Sequence, residues 1–208
     1  FDYYITDFEN QMVIDPYTYS DITAIYNLKG KSFAKSLQAT FNYEVFKRFD
    51  LRLAYKKDWV ETDYLSGRAR KPLTPDYRAL INLAYASRKE DWRYDLTFQF
   101  QGPSNLGISE TEAALYQQGH EGHAPQIDQD NMSPAFTTIN GQITKVFNKS
   151  WDTYVGVENL LDFRQDLPII GYENPFGTDF DATNVWGPVM GRKIYVGLRY
   201  TINQKKQS

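Results

Sequence analysis

The chain has 208 residues, of which 41% are hydrophobic and 16% aromatic, with a formal net charge of −3 and no cysteine. No apolar run approaches the roughly 20 residues that a helix needs to cross a bilayer, and the charge gives no electrostatic basis for binding nucleic acid. The lack of cysteine excludes disulfides and thiolate metal sites. The composition does not exclude transmembrane β-strands, because only every second residue of such a strand faces lipid.

The chain begins within a predicted strand, 1–15. Phe1, Tyr3 and Ile5 share one face, and Asp7 interrupts that face, which predicts a β-bulge. Phe1 is not an initiator Met, and no charged and apolar leader precedes it. We therefore interpret the chain as a processed piece of something longer.

Apolar residues alternate with polar or small ones in several further stretches, as expected for strands with two different faces. The clearest alternation sets Trp92, Tyr94, Leu96 and Phe98 against the polar residues between them. The last sets Ile194, Val196 and Leu198 against a polar face. The stretches predict strands at 37–45, 49–56, 77–86, 92–101, 137–144, 154–158 and 191–202.

The connections between these strands alternate in length. Short turns lie near Lys47, Lys89 and Lys149, whereas the polar segments 61–75, 103–134 and 163–190 are long and carry no strand pattern. Membrane barrels have short periplasmic turns and long extracellular loops, and a lumen lined by polar residues. A soluble sandwich can show the same alternation by chance. The pattern favours an all-β, antiparallel transmembrane β-barrel wall of about eight strands.

The C-terminal third resembles the end of TonB-dependent outer-membrane receptors of the Bacteroidota type. The stretches that carry the resemblance are GVENLLD, NPFG, FDA, WGP and GRKIYVGLRY, at 156–162, 174–177, 180–182, 186–188 and 191–200. Earlier stretches, among them DYYITDFENQMVID and NLKGKSFAKSLQATFNYE, resemble the strands that precede this end. The order and spacing of the motifs make the resemblance specific, although no single motif is decisive.

The resemblance implies that 1–202 supply the last eight strands of a barrel of about 22 strands, followed by a periplasmic tail, 203–208. That tail departs from the family, whose chains usually end on an aromatic or apolar residue. The implied partners are the remaining strands, a plug domain in the lumen, TonB acting through the plug, a surface lipoprotein and outer-membrane lipid, with no nucleic acid. The resemblance also implies plug contacts for the lumen-facing arginines Arg52, Arg78, Arg93 and Arg199.

Two groups of loop residues are candidates for binding. His120 and His123, with Glu121 between them, have spacing that suits a divalent metal, and the alternative is a solvated polar loop. Asp162, Arg164, Phe176, Asp181 and Trp186 lie in the last long loop and are candidates for a substrate entrance. The alternatives are solvation for the charged members, a turn cap for Asp181, and packing within the loop for Phe176 and Trp186.

The resemblance implies active uptake of a scarce solute, of the siderophore or metal-chelate type, with no bound cofactor. An enzyme is not expected, because nothing in the sequence places a nucleophile, a base and an orienting group together. The main alternative is a complete eight-stranded barrel that anchors or adheres without transport. A free-standing soluble β-domain comes third.

Overall fold

The computed structural model describes residues 1–18, 24–108, 131–166, 168–169, 174–177, 180 and 182–202. Within these ranges, none of the chain forms a helix long and apolar enough to cross a membrane. The described part contains eleven strands: β1 (Asp2–Phe8), β2 (Met12–Asp15), β3 (Ala24–Asn27), β4 (Ser32–Phe46), β5 (Phe49–Tyr64), β6 (Gly67–Arg70), β7 (Tyr77–Ala86), β8 (Trp92–Gln101), β9 (Phe136–Val146), β10 (Trp151–Glu158) and β11 (Lys193–Tyr200).

The main sheet is an antiparallel meander. Its strand order is β1-β4-β5-β7-β8-β9-β10-β11, with β6 paired to β5, whereas β2 and β3 form a separate two-stranded sheet. The eight strands of this path agree with the predicted number and order. The sheet does not close, because β1 and β11 lie at its two edges and do not pair with each other. The first and the last strand of the path therefore each offer an open edge.

Three local predictions are wrong. The ladder between β1 and β4 runs in continuous register through Asp7, so the predicted bulge is absent there. The single predicted strand 1–15 is instead two strands, β1 and β2. The polar segment 61–75 is not a loop throughout, because β5 continues to Tyr64 opposite β4 and then pairs with β6. The turn between β5 and β6 uses Gly67 at φ 127, a conformation that favours glycine.

The connections sort by length to the two ends of the sheet. The turns at 47–48, 87–91 and 147–150 lie at one end, the short-turn end. Arg48 and Glu90 adopt positive φ in two of these turns. The connections from β1 to β4, β8 to β9 and β10 to β11 lie at the opposite end, the long-loop end. This distribution agrees with the predicted alternation.

One face of the main sheet is apolar and exposed. The register aligns Leu51, Leu83 and Leu96 across β5, β7 and β8, and on β11 the Val196 side chain is 78% exposed. The apolar residues of the clearest and of the last predicted alternation lie together on this apolar face, among them Tyr94, Leu96, Phe98, Ile194, Val196 and Leu198. The opposite, polar face carries the residues between them.

The buried apolar side chains of the described chain lie at the long-loop end rather than between layers of sheet. One cluster comprises Leu106, Ile108 and Trp186, with Phe136 and Phe163 packed against it. The other comprises Val13, Leu28 and Tyr64, with Tyr17, Tyr26 and Ala69 against it. The first cluster joins two long loops to the end of β9, and the second joins the β2–β3 hairpin to β5 and β6.

Candidate functional site: the polar face and the long-loop end

The polar face of the main sheet carries two groups of hydrogen-bonded side chains. Asn82 Nδ2 donates to Asp95 Oδ1 at 3.1 Å and to Thr97 Oγ1 at 2.8 Å. Farther along the face, the Tyr195 hydroxyl donates to Gln142 Oε1 at 3.0 Å. Side chains of this kind suit a water-filled or protein-filled lumen rather than a dry core, because their unused donors and acceptors need polar partners.

The four predicted plug-contact arginines all lie on this polar face. Arg52 stands between Asn42 and Asn82, Arg78 between Lys56 and Gln101, and Arg93 between Ala86 and Thr144. Arg199 Nη1 lies 3.8 Å from Asp152 Oδ2 and over the Tyr154 ring. All four side chains are exposed in this chain. Their contact with a plug stays a prediction.

Tyrosines lie over glycines where β10 meets β11. Gly156 pairs with Tyr195, and Tyr154 pairs with Gly197, in adjacent rows of the ladder. A Cβ added at either glycine would overlap the ring of the opposite tyrosine. The two rings meet edge to face, with centroids 6.2 Å apart and planes at 64°. The glycines therefore allow the rings to lie down on the sheet and cover its backbone.

The last long loop begins with a compact turn at Asn159. Asn159 N donates to Asn140 Oδ1 at 2.9 Å, and its Nδ2 donates to Phe163 O at 2.7 Å. Asn159 and Asp162 have positive φ, which their short polar side chains tolerate better than most. The turn thus joins the end of β10 to Asn140 within β9.

Asp162 joins the two ends of this loop. Its Oδ1 accepts a hydrogen bond from Arg192 N at 2.6 Å, just before β11, and Arg164 Nη2 lies 3.2 Å away. The backbone N–H of Arg192, and after it the Arg164 guanidinium, hold the pKa of the Asp162 carboxyl below its usual range. Two of the predicted substrate residues, Asp162 and Arg164, therefore contact each other and the closing strand. Their contact with a substrate stays a prediction.

Trp186 lies inside the loop, with 7% of its surface exposed. It packs on Phe136 and Phe163, whose rings stack at 5.0 Å with planes 6° apart. The buried Gln165 amide holds the neighbouring backbone: its Oε1 accepts from Trp186 N at 2.9 Å, and its Nε2 donates to Asn184 O at 2.9 Å. This burial gives Trp186 a packing role, in line with the alternative raised for it.

The remaining predicted binding residues are Phe176, Asp181, His120 and His123. Phe176 is fully exposed. Asp181 and both histidines lie outside the described residues, as do Glu121 and Asp128. Within the described ranges, no three His, Asp or Glu side chains come together in a way that would hold a metal ion. The metal hypothesis therefore stays a prediction.

Sequence reasoning missed a cluster of hydrogen bonds around the Asp15 carboxylate, which we call the Asp15 clasp. The buried Asp15 carboxylate accepts hydrogen bonds from Tyr17 N at 2.8 Å, Thr18 Oγ1 at 2.5 Å and the Tyr26 hydroxyl at 2.6 Å. Burial raises the pKa of this carboxyl, but these hydrogen bonds outweigh burial and lower its pKa overall. The Tyr17 hydroxyl lies 2.8 Å from Asn105 Oδ1 and so links the β2–β3 hairpin to a second loop.

A local signal for this clasp exists in the sequence. Asp15 is followed by Pro16 and, three positions on, by Thr18, which is the composition of a turn in which an aspartate accepts hydrogen bonds from the residues after it. The two other contacts have no such signal, because Tyr26 reaches Asp15 through the pairing of β2 with β3, and Asn105 reaches Tyr17 from the loop after β8.

Comparisons with known proteins identify the fold. The sequence matches no protein-family model, and no curated protein matches it. The structure matches a ferric enterobactin receptor from Pseudomonas aeruginosa in complex with enterobactin, with 15% identity and a TM-score of 0.66 over 95% of this chain and 28% of that chain.

Two further solved structures give the same picture. A copper transporter, OprC, has 14% identity and a TM-score of 0.63 over 95% of this chain and 27% of its own. The ferric-catecholate import receptor Fiu from E. coli has 11% identity and a TM-score of 0.58 over 95% of this chain and 24% of its own. This chain therefore spans about a quarter of the length of the proteins it matches, and it shares their all-β fold.

Proposed function

We propose that this chain forms the last eight strands of the barrel of a TonB-dependent outer-membrane receptor of the Bacteroidota type, which imports a scarce solute such as a siderophore or metal chelate. The observation that carries the proposal is the open eight-strand path, with unpaired edges at β1 and β11 and an exposed apolar face opposite a polar one. The coverage of about a quarter of known siderophore and copper transport proteins supports it.

The proposal gives each surface of the sheet a neighbour. Outer-membrane lipid covers the apolar face, because exposed side chains such as Ile194, Val196 and Leu198 are stabilised by acyl chains. Further strands pair with the free edges of β1 and β11, which would otherwise leave unpaired backbone groups in the bilayer. A plug domain, through which TonB acts, fills the lumen and offers carboxylates to Arg52, Arg78, Arg93 and Arg199.

The absence of cysteine from these 208 residues favours a cross-linking test of edge pairing. Paired cysteines at Ile5 and Val196 are placed in the intact receptor and treated with an oxidant in the membrane. A disulfide needs Cα atoms less than about 7 Å apart. We expect no cross-link, because many strands separate the two edges in a large barrel. A control pair at Val155 and Val196, which are register partners, should cross-link. A cross-link between Ile5 and Val196 would favour the complete eight-stranded barrel instead.

Transport is tested by uptake of a radiolabelled ferric siderophore or copper chelate into cells that carry the intact receptor. We expect uptake that requires both the receptor and TonB. Equal uptake with and without TonB, in cells where the receptor is correctly inserted, would contradict the transport part of the proposal.

The two histidines bear on which solute the receptor binds. Neutral imidazole is the ligand form, so metal capture by His120 and His123, with Glu121 or Asp128 as oxygen ligands, should weaken as pH falls through about 6.5. Replacing either histidine with alanine should reduce metal-chelate binding by the intact receptor without affecting barrel assembly. Equal affinity in the wild type and the double variant would leave the cargo unassigned.

A further inference from the structure

Two lysines interrupt the apolar face where it approaches the long-loop end. Lys35 on β4 is the register partner of Ile5 and Trp59, and Lys57 on β5 is the register partner of Leu37 and Tyr77. The two lysines are diagonal neighbours on adjacent strands, which places their backbones roughly 7 Å apart. Both therefore belong to the face that otherwise carries apolar and aromatic side chains.

Each ammonium group contacts an aromatic ring. Lys35 Nζ lies 5.0 Å from the centroid of the Phe33 ring, and Lys57 Nζ lies 5.2 Å from that of Trp59. Both lysines are half-buried, so their alkyl stems cover apolar surface while their charged ends lie beside the rings. Two positive charges are thus held at the border of the apolar band.

Neither charge is neutralised by the part of the chain that the structure describes. In that part, no carboxylate oxygen lies within 4.0 Å of either Nζ. Asp7 and Glu61 share this face, but both pair with Phe33 in the next row toward the loops. The short-turn end differs, because the apolar-face lysine there, Lys145, lies over Trp92 and pairs with Asp91 Oδ2 at 2.7 Å.

We propose that Lys35 and Lys57 bind the phosphate of an acylated lipid in the membrane leaflet at the long-loop end, with its acyl chains on the apolar face. This inference rests on the proposed function, which places a bilayer against that face. A phosphate between the two ammonium groups supplies a negative charge that no described carboxylate places within 4.0 Å of them. Phe41, Leu53 and Ile81 lie on the same face toward its centre, in one row of the ladder, and receive the acyl chains.

The geometry favours a lipid over a free phosphate ion. A free ion would meet the two lysines on an exposed surface with no enclosing backbone N–H groups, where salt screens the attraction. A lipid brings its phosphate to the surface of the bilayer, where each nearby lysine strengthens binding by a modest increment. Its acyl chains at the same time cover exposed apolar side chains, which Phe41 and Leu53 provide.

The test uses the intact receptor, stripped of lipid in detergent, and a fluorescent diphosphorylated glycolipid as the probe. Lys35→Gln and Lys57→Gln remove one charge each while keeping most of the stem. The matched control is Lys56→Gln, because Lys56 precedes Lys57 but lies on the opposite face, beside Arg78. We expect each of the first two variants to weaken binding about fivefold, and the control to bind as the wild type does. The same glycolipid without phosphates should bind the wild type and all variants equally.

Three results would overturn the inference: equal binding by Lys56→Gln and Lys57→Gln, an undiminished lysine effect with the dephosphorylated glycolipid, or competition by inorganic phosphate at the concentration of the lipid phosphate. Membrane insertion and TonB-dependent uptake of the same variants are measured in parallel. Normal insertion and uptake combined with equal lipid binding would refute only the lipid site. A wild-type receptor that fails to insert would refute the proposed function, and the lipid inference with it.

Discussion

The short-turn end and the long-loop end of the sheet are stabilised in different ways. At the short-turn end, tight turns are held by local contacts, such as that of the Ser87 hydroxyl, which donates to Asp91 Oδ1 at 2.7 Å. At the long-loop end, side chains from distant segments form two buried clusters. The middle of the sheet contains no fully buried large apolar side chain among the described residues. The sheet thus leaves its two faces to other molecules, while the loops carry their own cores.

The electrostatics of the two ends differ in the same way. Hydrogen bonds from Lys145 and from Ser87 lower the pKa of Asp91 to about 2. This partly exposed pair at the short-turn end contributes little to stability, as surface ion pairs generally do. At the long-loop end, the Asp15 carboxylate is buried and accepts hydrogen bonds from Tyr17 N and the Tyr26 hydroxyl. These bonds hold the β2–β3 hairpin together.

The largest expected effect tests the loop core. Trp186→Ala removes a buried ring from the cluster with Phe136 and Phe163, which should cost about 3–5 kcal/mol of the free energy that keeps the loop folded. Hydrogen exchange of the intact receptor should show faster exchange in the last long loop and at 104–108, with β10 unchanged. Val185→Ala, at an exposed neighbour, is the control. Equal protection in the two variants would show that the cluster does not stabilise the loops.

The next effect tests the apolar face. Under the proposed function, Leu96→Arg near the bilayer midplane should destabilise the barrel by about 2–4 kcal/mol, because the charge meets lipid. Unfolding of the receptor by denaturant in bilayers measures this cost. Thr40→Arg, at an exposed position on the polar face, should cost far less. Equal losses would contradict the assignment of the two faces.

The contrast also explains what the sequence could predict. The alternation of Trp92, Tyr94, Leu96 and Phe98 with polar residues predicts β8 and its faces correctly, because a strand with two environments imposes a period of two. The turn that follows Asp15 has a local signal, but the whole clasp could not be predicted. Tyr26 reaches Asp15 through the pairing of β2 with β3, and Asn105 reaches Tyr17 from a separate loop. β6 was missed because GRAR has no apolar face, and its pairing depends on the extended end of β5.

The binding residues were less predictable than the fold. Trp186 is an aromatic residue in a long polar loop, and such a residue can serve equally well as a ligand contact or as a core. Its burial depends on Leu106 and Ile108, which come from another loop. Asp162 and Arg164, which are close in the chain, contact each other. Their link to the Arg192 backbone required the three-dimensional path of the loop.

A smaller effect tests the rings at the edge of the sheet. Gly156→Ala should displace the Tyr195 ring and break its hydrogen bond to Gln142, at a cost of about 1–3 kcal/mol of barrel stability. At Gly141 an added Cβ would come no closer than 3.5 Å to its nearest neighbour, Leu96. Gly141→Ala should therefore be neutral, or stabilising by restricting the unfolded backbone. If both variants unfold at the same denaturant concentration, the ring has no structural role.

The smallest effect depends on pH. Because the folded pKa of Asp15 is below the unfolded value of about 3.9, its carboxylate stabilises the hairpin above that pH, and this stability is lost as pH falls through the folded pKa. Exchange-corrected protection of the β2–β3 amides should decline on acidification in the wild type. Asp15→Asn should show weaker protection that varies less with pH. A decline of equal size in both proteins would assign the effect to other groups.

The order of the strands has a consequence for how the sheet is assembled. Three strand pairs, β4–β5, β7–β8 and β9–β10, are hairpins with short turns, so their ladders can form from neighbouring residues at small entropic cost. The β10–β11 ladder must instead bring together partners from the two ends of the last long loop, such as Glu158 and Lys193. Pairings of this kind form slowly. The β8–β9 ladder closes a loop of the same length, but β11 pairs with a described strand on one side only. The last edge is therefore expected to form late, which gives an incoming strand or an assembly factor time to engage it.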